Sequence, residues 1–206
     1  MTEHVAGLLL AAGSSRRLGQ PKQLLPYKGR TLLDATLDVA RSAPFAQRLV
    51  TVGGAAADVL HEIDFDGFQV VDSMHFTDGC SSSIVSALDV VLPQAAGIVM
   101  LLGDQPGVST EAIQTLIAAA TAAQHPAPLA VCNYRNGVGH PFWFGRQVFG
   151  DLAQLQGDKA VWKLLESGRY PVTHVPIDAS IPLDVDTWDD YESLLAHDEI
   201  ESGATP

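Results

Sequence analysis

Only two cysteines, Cys80 and Cys132, occur among the 206 residues. Two thiols are too few for a disulfide framework or a four-thiolate zinc site, so both read as reduced thiols. Charged residues are also scarce, at 17% against 47% hydrophobic. That balance excludes a disordered chain, which needs the reverse. Basic residues are outnumbered by acidic ones, 12 to 24, for a formal charge of −12. A protein that neutralises nucleic-acid phosphates normally carries the opposite excess, so DNA or RNA is not expected as the main partner. No apolar stretch reaches the ~18 residues of a membrane span. Nor does the N-terminus carry a basic segment followed by an apolar run and a small-residue cleavage site, so no secretory leader is expected. There is no internal repeat and no long linker. The expectation is a soluble, cytoplasmic protein whose length suits a single domain with a continuous core.

What the chain does have is alternation. Residues 5–11 form an apolar run suited to a strand covered on both faces, and residues 49–52, 69–71, 98–102 and 129–132 are shorter runs of the same kind. Between them, Leu32, Leu33, Thr36, Leu37 and Ala40 follow one helical face, as do Val59, Leu60 and Ile63, and Ile84, Val85, Leu88 and Leu92. Residues 112–123 are rich in helix formers; Ser109 can cap them, and Glu111 suits the positive end of the helix dipole. Strands alternating with helices predict an α/β fold with a mostly parallel sheet. Ligands of such sheets bind beyond the carboxyl ends of the strands. Glycines, charges and prolines cluster at two such ends, in residues 12–26 and 103–109. From His197 the apolar periodicity fades, so residues 197–206 are expected to be a loose tail.

The run Leu10-Ala11-Ala12-Gly13-Ser14-Ser15-Arg16-Arg17-Leu18-Gly19-Gln20-Pro21-Lys22 follows the first strand directly. Small residues there let backbone N–H groups approach an anion, and Arg17 and Lys22 add positive charge. The loop is not a Walker A sequence, because no Gly-Lys-Ser/Thr follows, and it lacks the second glycine of the dinucleotide fingerprint. A plain turn with two solvated arginines would show the same composition.

This segment resembles the signature loop of nucleotidyltransferases that join a nucleoside monophosphate to a phosphorylated acceptor. The nearest branch is similar to the molybdenum-cofactor cytidylyltransferases and guanylyltransferases. The resemblance covers nearly the whole chain and implies a three-layer Rossmann-like nucleotidyltransferase fold, with one domain over residues 1–196. It places Arg17 and Lys22 in catalysis on the nucleotide phosphates, and Leu10, Ala11, Ala12, Gly13 and Ser14 in nucleotide binding. A second motif, Gly103-Asp104-Gln105-Pro106, implies that Asp104 is catalytic and binds Mg²⁺. A hard cation of that kind takes oxygen ligands and often needs only one or two carboxylates beside the phosphates.

Three further segments carry the likeness. Gly79-Cys80-Ser81-Ser82-Ser83 leads into a helix, and Gly79, Ser82 and Ser83 match nucleotide-binding positions. The chain departs from the pattern nearby: Asp72 stands where Asn is common, and the stretch to Gly79 is one residue longer. Gly79-Cys80-Ser81 also begins like a nucleophile elbow, but Ser83 stands where the closing glycine should be, which argues against a hydrolase. Gly139-His140-Pro141 and Gly157-Asp158-Lys159 resemble segments that shape the acceptor pocket, making His140, Pro141, Asp158 and Lys159 candidate substrate contacts. His140 by itself reads equally as a packed imidazole, and Trp143 and Phe144 read as part of a hydrophobic face. Last, Leu183-Asp184-Val185-Asp186-Thr187 offers Asp186 as a second metal ligand, unless Asp186 or Thr187 only caps the following helix.

The resemblance therefore implies transfer of CMP from CTP to molybdopterin, in its molybdenum-bearing form, with release of pyrophosphate and a molybdoenzyme as client. CTP is expected over GTP because the guanylyltransferase branch has Gly at the position of Ala12, whose methyl would crowd a purine. Guanylyl transfer, cytidylyl or uridylyl transfer to a sugar or polyol phosphate, and a non-catalytic cofactor carrier are the alternatives. A carrier would have little reason to retain Arg17, Lys22 and Asp104 together.

Overall fold

The computed structural model describes residues 4–73, 80–122, 124–157 and 159–203. Its first strand, β1 (His4–Leu10), leads through a loop and a 3₁₀ turn (Lys22–Leu24) to a small hairpin, β2 (Pro26–Tyr27) and β3 (Arg30–Thr31). Then come α1 (Leu32–Ser42), β4 (Gln47–Val52), α2 (Ala56–Glu62), β5 (Gln69–Asp72), α3 (Cys80–Leu88) and β6 (Ala95–Leu102). The second half comprises α4 (Thr110–Thr121), β7 (Leu129–Tyr134), β8 (Gly137–Gly145), α5 (Phe149–Leu152), α6 (Ala160–Glu166), β9 (Val172–Pro176) and α7 (Trp188–Gly203).

Seven strands form one sheet in the order β5-β4-β1-β6-β8-β7-β9. All neighbours are parallel except those of β8, which runs antiparallel to both β6 and β7. The mostly parallel sheet predicted from the alternation is thus present. The predicted runs at 49–52, 69–71, 98–102 and 129–132 fall within β4, β5, β6 and β7, and the run at 5–11 overlaps β1 and passes its end by one residue. Alternate residues of each inner strand feed opposite cores. Val5 and Leu9 pack with α1, α2 and α4, whereas Ala6 and Leu8 pack with α3, α5 and α6. The result is three layers, and it explains why the inner strands read as continuous apolar runs.

Local signals account for the helix starts. Thr31 and Asp34 form a reciprocal capping box on α1, and Ser109 accepts from the Ala112 N–H at 3.1 Å on α4. Two local expectations change. On α2, Leu60 is exposed while Val59 is buried, so the apolar face is narrower than the pattern suggested. Residues 204–206 lie outside the described residues, and residues 197–203 of the expected loose tail instead form the end of α7, which continues to Gly203. Its Leu194 joins Leu18, Leu25, Tyr27, Leu32 and Val185 in a third apolar cluster, and Asp198 pairs with Lys28 Nζ of the β2–β3 turn at 2.9 Å. A distant hairpin supplies what local periodicity lacks.

The strands β8 and β9 were not anticipated. β8 carries glycines and a proline that argue against a strand. Close packing requires at least one small residue in this region: on the facing strand, a Cβ at Gly97 would lie 2.5 Å from the Phe144 carbonyl oxygen. Among the described residues, no helix is long and apolar enough to cross a membrane.

The chain leaves β1 through α1 on one face of the sheet and leaves β5 through α3 on the other. Adjacent β1 and β6 therefore sit where the winding direction changes, the point at which sheets of this kind form a ligand crevice beyond the strands' carboxyl ends. Both glycine-rich loops emerge there.

Candidate active site

The loop after β1 is held by its own polar groups. Ser15 adopts a left-handed conformation (φ +50°), its carbonyl accepts from the N–H groups of Leu18 and Gly19, and its hydroxyl accepts from the Lys22 N–H at 2.9 Å. Gln23 is buried and donates through Nε2 to the carbonyls of Ala11 (2.7 Å) and Gly13 (3.1 Å). This glutamine, missed in the sequence, staples the loop to the end of β1. Its only sequence signal was a polar residue directly before two leucines. Leu10 is partly exposed, Ala11 and Ala12 are buried, and Gly13 and Ser14 face solvent. Gly13 and Ser14 are thus the members of the predicted cradle that a ligand can reach without rearrangement.

Lys22 and Asp104 meet across the crevice, although 82 positions separate them. The Lys22 ammonium donates to the Asp104 carboxylate and, at 2.8 Å, to Asp186 Oδ1. Arg17 reaches Asp186 Oδ2 from the solvent side at 3.4 Å. The Lys22 and Asp104 side chains are only 13% and 16% exposed, whereas Asp186 is 52% exposed. Burial alone would lower the Lys22 pKa, but the negative charge of Asp104 and then Asp186 outweighs it and holds the ammonium above its ordinary value. Four of the predicted residues thus form one charge cluster.

Asp186 reaches this cluster because it is not the helix cap. Thr187 and Asp190 form the capping box of α7: the Asp190 carboxylate accepts from the Thr187 N–H (2.8 Å), and the Asp190 N–H donates to the Thr187 hydroxyl (3.2 Å). The Asp186 side chain is left to face Lys22 and Arg17. Its neighbour Asp184 is exposed as a residue, yet loss of water around its carboxyl, together with the negative charge of Asp104, pushes it up to about 6.

Asp104 and Asp186 converge on one point, where an ammonium now lies. That donor set fits a divalent cation. Its oxygens are hard, its charge is doubly negative, and a cation already bridges it. Among the described residues no three His, Cys, Asp or Glu groups form a metal cage. Two carboxylates suit an ion whose other ligands come from phosphate and water.

The remaining candidates are spread more widely. Ser83 is buried, its hydroxyl 2.9 Å from that of Ser73, while Ser82 is partly exposed at the start of α3. Gly79 and Asp158 lie outside the described residues. Lys159 is exposed at the N-terminus of α6. Register places His140 on the crevice side of the sheet: Met100 of β6 pairs with Phe142 of β8, so His140 lies level with the end of β6. The imidazole lies 4.1 Å from the Phe142 ring, and burial pushes its pKa down to about 3. It is therefore a neutral group at ordinary pH, and its backbone carbonyl accepts from Tyr134 at 2.7 Å. Pro141, Trp143 and Phe144 are buried. Sequence reasoning overlooked Trp162, an exposed indole packed edge-on against Phe142 at 5.3 Å.

Residues 7–174 match the MobA-like NTP transferase domain. The chain belongs to that family. The chain is 30% identical over 201 residues to the purine catabolism protein PucB of Bacillus subtilis, covering 93% of this chain and 96% of PucB. It is 24% identical over 187 residues to the molybdenum cofactor cytidylyltransferase of Escherichia coli, covering 89% and 92% of the two chains. Among solved structures, it is 49% identical to Rv0371c of Mycobacterium tuberculosis in complex with manganese, with a TM-score of 0.82 and coverage of 94% and 98%. In this member of the family, the topological switch point between β1 and β6 carries the glycine-rich loop.

Proposed function

We propose that this MobA-like protein transfers CMP from CTP to the molybdenum cofactor, releasing pyrophosphate, with Mg²⁺ held by Asp104 and Asp186. The observation that carries the reading is the pairing of the Lys22 ammonium with both carboxylates at the β1–β6 crevice. It brings together, at the mouth of a glycine-rich loop, groups of both signs that a triphosphate requires. The exposed N–H groups of Gly13 and Ser14 bind phosphate oxygens, and Arg17 and Lys22 offset negative charge as pyrophosphate departs. Bound at the two aspartates, the metal would supply further charge neutralisation at the phosphates. No protein nucleophile is needed, since holding the two substrates in line is the main requirement. Cys132 does not compete for such a role, because burial pushes its thiol up to about 12.

The acceptor lies against β8 and α6 in this reading, with neutral His140 and the Lys159 ammonium on its rim. The resemblance of these segments to the cofactor-transferring branch and the cytidylyltransferase relative support molybdopterin and CTP. Ala12 adds little to the choice of base, because it is only 5% exposed and offers a purine almost no surface to strike. The test is pyrophosphate release with each of CTP, GTP, UTP and ATP, Mg²⁺, and either the molybdenum cofactor or a sugar or polyol phosphate. The expected result is turnover with the molybdenum cofactor and a clear kcat/KM preference for CTP. A preference for GTP would move the protein to guanylyl transfer, and turnover only with sugar phosphates would replace the acceptor.

A further inference from the structure

The charge cluster depends on two segments far apart in sequence. Asp104 follows β6, while Asp186 rides on an extended strap, residues 182–187, that enters α7. The Asp186 side chain is more than half exposed and pairs with Arg17 and Lys22, while its backbone N–H donates to the Asp190 carboxylate of α7 at 3.1 Å. Its position relative to Asp104 is therefore set by whatever holds the strap.

One holder is Gln105. The residue is 2% exposed. Its Nε2 donates to the Pro182 carbonyl at 3.2 Å and to the Asp184 carboxylate, which spans the gap between the β6 turn and the strap. Beside it the Val185 N–H donates to the Asp104 carbonyl at 3.3 Å, and the Val185 side chain is buried in the third apolar cluster. Gly107 also faces the strap, where an added Cβ would meet the Pro182 ring in ordinary contact at 3.4 Å. Among the described residues Gln105 Oε1 has no hydrogen-bond partner. A buried amide acceptor left unpaired is costly, and an apolar residue would avoid that cost. The side chain's bonding is thus one-sided, spent wholly on the strap through its two N–H donors.

We propose that Gln105 is a positioning residue for metal binding: its amide fastens the strap bearing Asp186 to the turn bearing Asp104, fixing the spacing of the two carboxylates. Gln105 touches neither substrate nor metal, and it acts through Pro182 and Asp184. The inference rests on the reading of Asp104 and Asp186 as the metal pair. It extends that reading to a residue whose only sequence signal was its place beside the aspartate.

Gln105→Met keeps length and volume but has no donor, and Gln105→Asn keeps the amide but is one methylene too short to reach. Both are compared with wild type by titrating Mn²⁺ in the presence of CTP, reading free ion by electron paramagnetic resonance, and by following pyrophosphate release against Mg²⁺ concentration. The expected result is a roughly tenfold weaker Mn²⁺ affinity and a matching rise in half-saturating Mg²⁺. At saturating metal, kcat should recover to within about threefold of wild type, with the KM for CTP unchanged. A residue that merely supported folding would lower kcat at every metal concentration without moving the half-saturation point, and that result in the variant that folds would overturn the proposal. Asp104→Ala is the control. If it binds Mn²⁺ like wild type, the metal-pair reading itself fails. If it loses Mn²⁺ while both Gln105 variants retain it, only the role of Gln105 is lost.

Discussion

Replacing Lys22 by methionine is expected to tighten divalent-metal binding to the nucleotide-free protein, even though it removes a residue assigned to the phosphates. In the free protein the Lys22 ammonium holds both carboxylates, so a cation entering between them must first displace it. The bond to Asp104 is well shielded from water, with both side chains under 20% exposed, and a hydrogen bond between charged groups of this kind contributes ~1.5–3 kcal/mol. The bond to the more exposed Asp186 adds no more than ~1 kcal/mol. Releasing both at a cost of about 2 kcal/mol weakens metal affinity roughly thirtyfold, at ~1.4 kcal/mol per factor of ten. Lys22→Met retains most of the stem that passes Gly13 but carries no charge, and it leaves two carboxylates uncompensated. The assay is a Mn²⁺ titration of nucleotide-free wild type and variant, with free ion read by electron paramagnetic resonance. The dissociation constant should fall by roughly ten- to a hundredfold, while pyrophosphate release with nucleotide falls rather than rises. An unchanged or weaker Mn²⁺ affinity in a folded Lys22→Met protein would refute the reasoning, because ammonium and metal would then not share a position.

Asp104→Ala should abolish turnover in a protein that still folds, its thermal midpoint lowered only by the few degrees that loss of the shielded bond to Lys22 implies, since Asp104 lies beyond the end of β6, outside the apolar clusters; near-normal activity at saturating Mg²⁺ would remove it from the site. Arg17→Ala should lower kcat by ~10²–10³, the usual cost of deleting an electrostatic stabiliser, and Arg16→Ala far less, because Arg17 is the arginine that reaches Asp186. Equal losses would mean that the loop register has been misread. For His140, burial holds the folded pKa near 3, below its ordinary 6.5, so the unfolded chain binds the extra proton. Its contribution to stability is complete above about pH 6.5 and is lost as pH falls toward 3, so a His140→Leu protein should show a shallower drop in thermal midpoint across that window. A drop as steep as wild type's would place the acid sensitivity elsewhere.

The sheet, its inner strands and their order along the chain were legible because a strand buried on both faces must be apolar throughout, and the shortness of the runs between glycine-rich and polar stretches separates them from buried helices. β8 was hidden for the opposite reason. Two of its glycines answer crowding from other segments: a Cβ at Gly139 would lie 2.9 Å from Ile181, and one at Gly145 2.5 Å from the Ala127 carbonyl oxygen, contacts invisible from within the strand. The end of α7 was lost in the same way, since the ion pair of Asp198 with Lys28 joins residues 170 positions apart.

For the site, the amino-acid sequence by itself determined which chemistry was available: a small-residue loop with Arg17 and Lys22, and single carboxylates after β6 and before α7. Side-chain type and a loop's place after a strand are local properties. Only the tertiary structure decided that Lys22 lies between Asp104 and Asp186, that Thr187 rather than Asp186 caps α7, and that Gln23 and Gln105 hold the two loops in place. A glutamine looks the same in sequence whether it points to water or bridges two backbones. Its role is set by which distant carbonyls the fold brings within about 3 Å, the reach of a hydrogen bond.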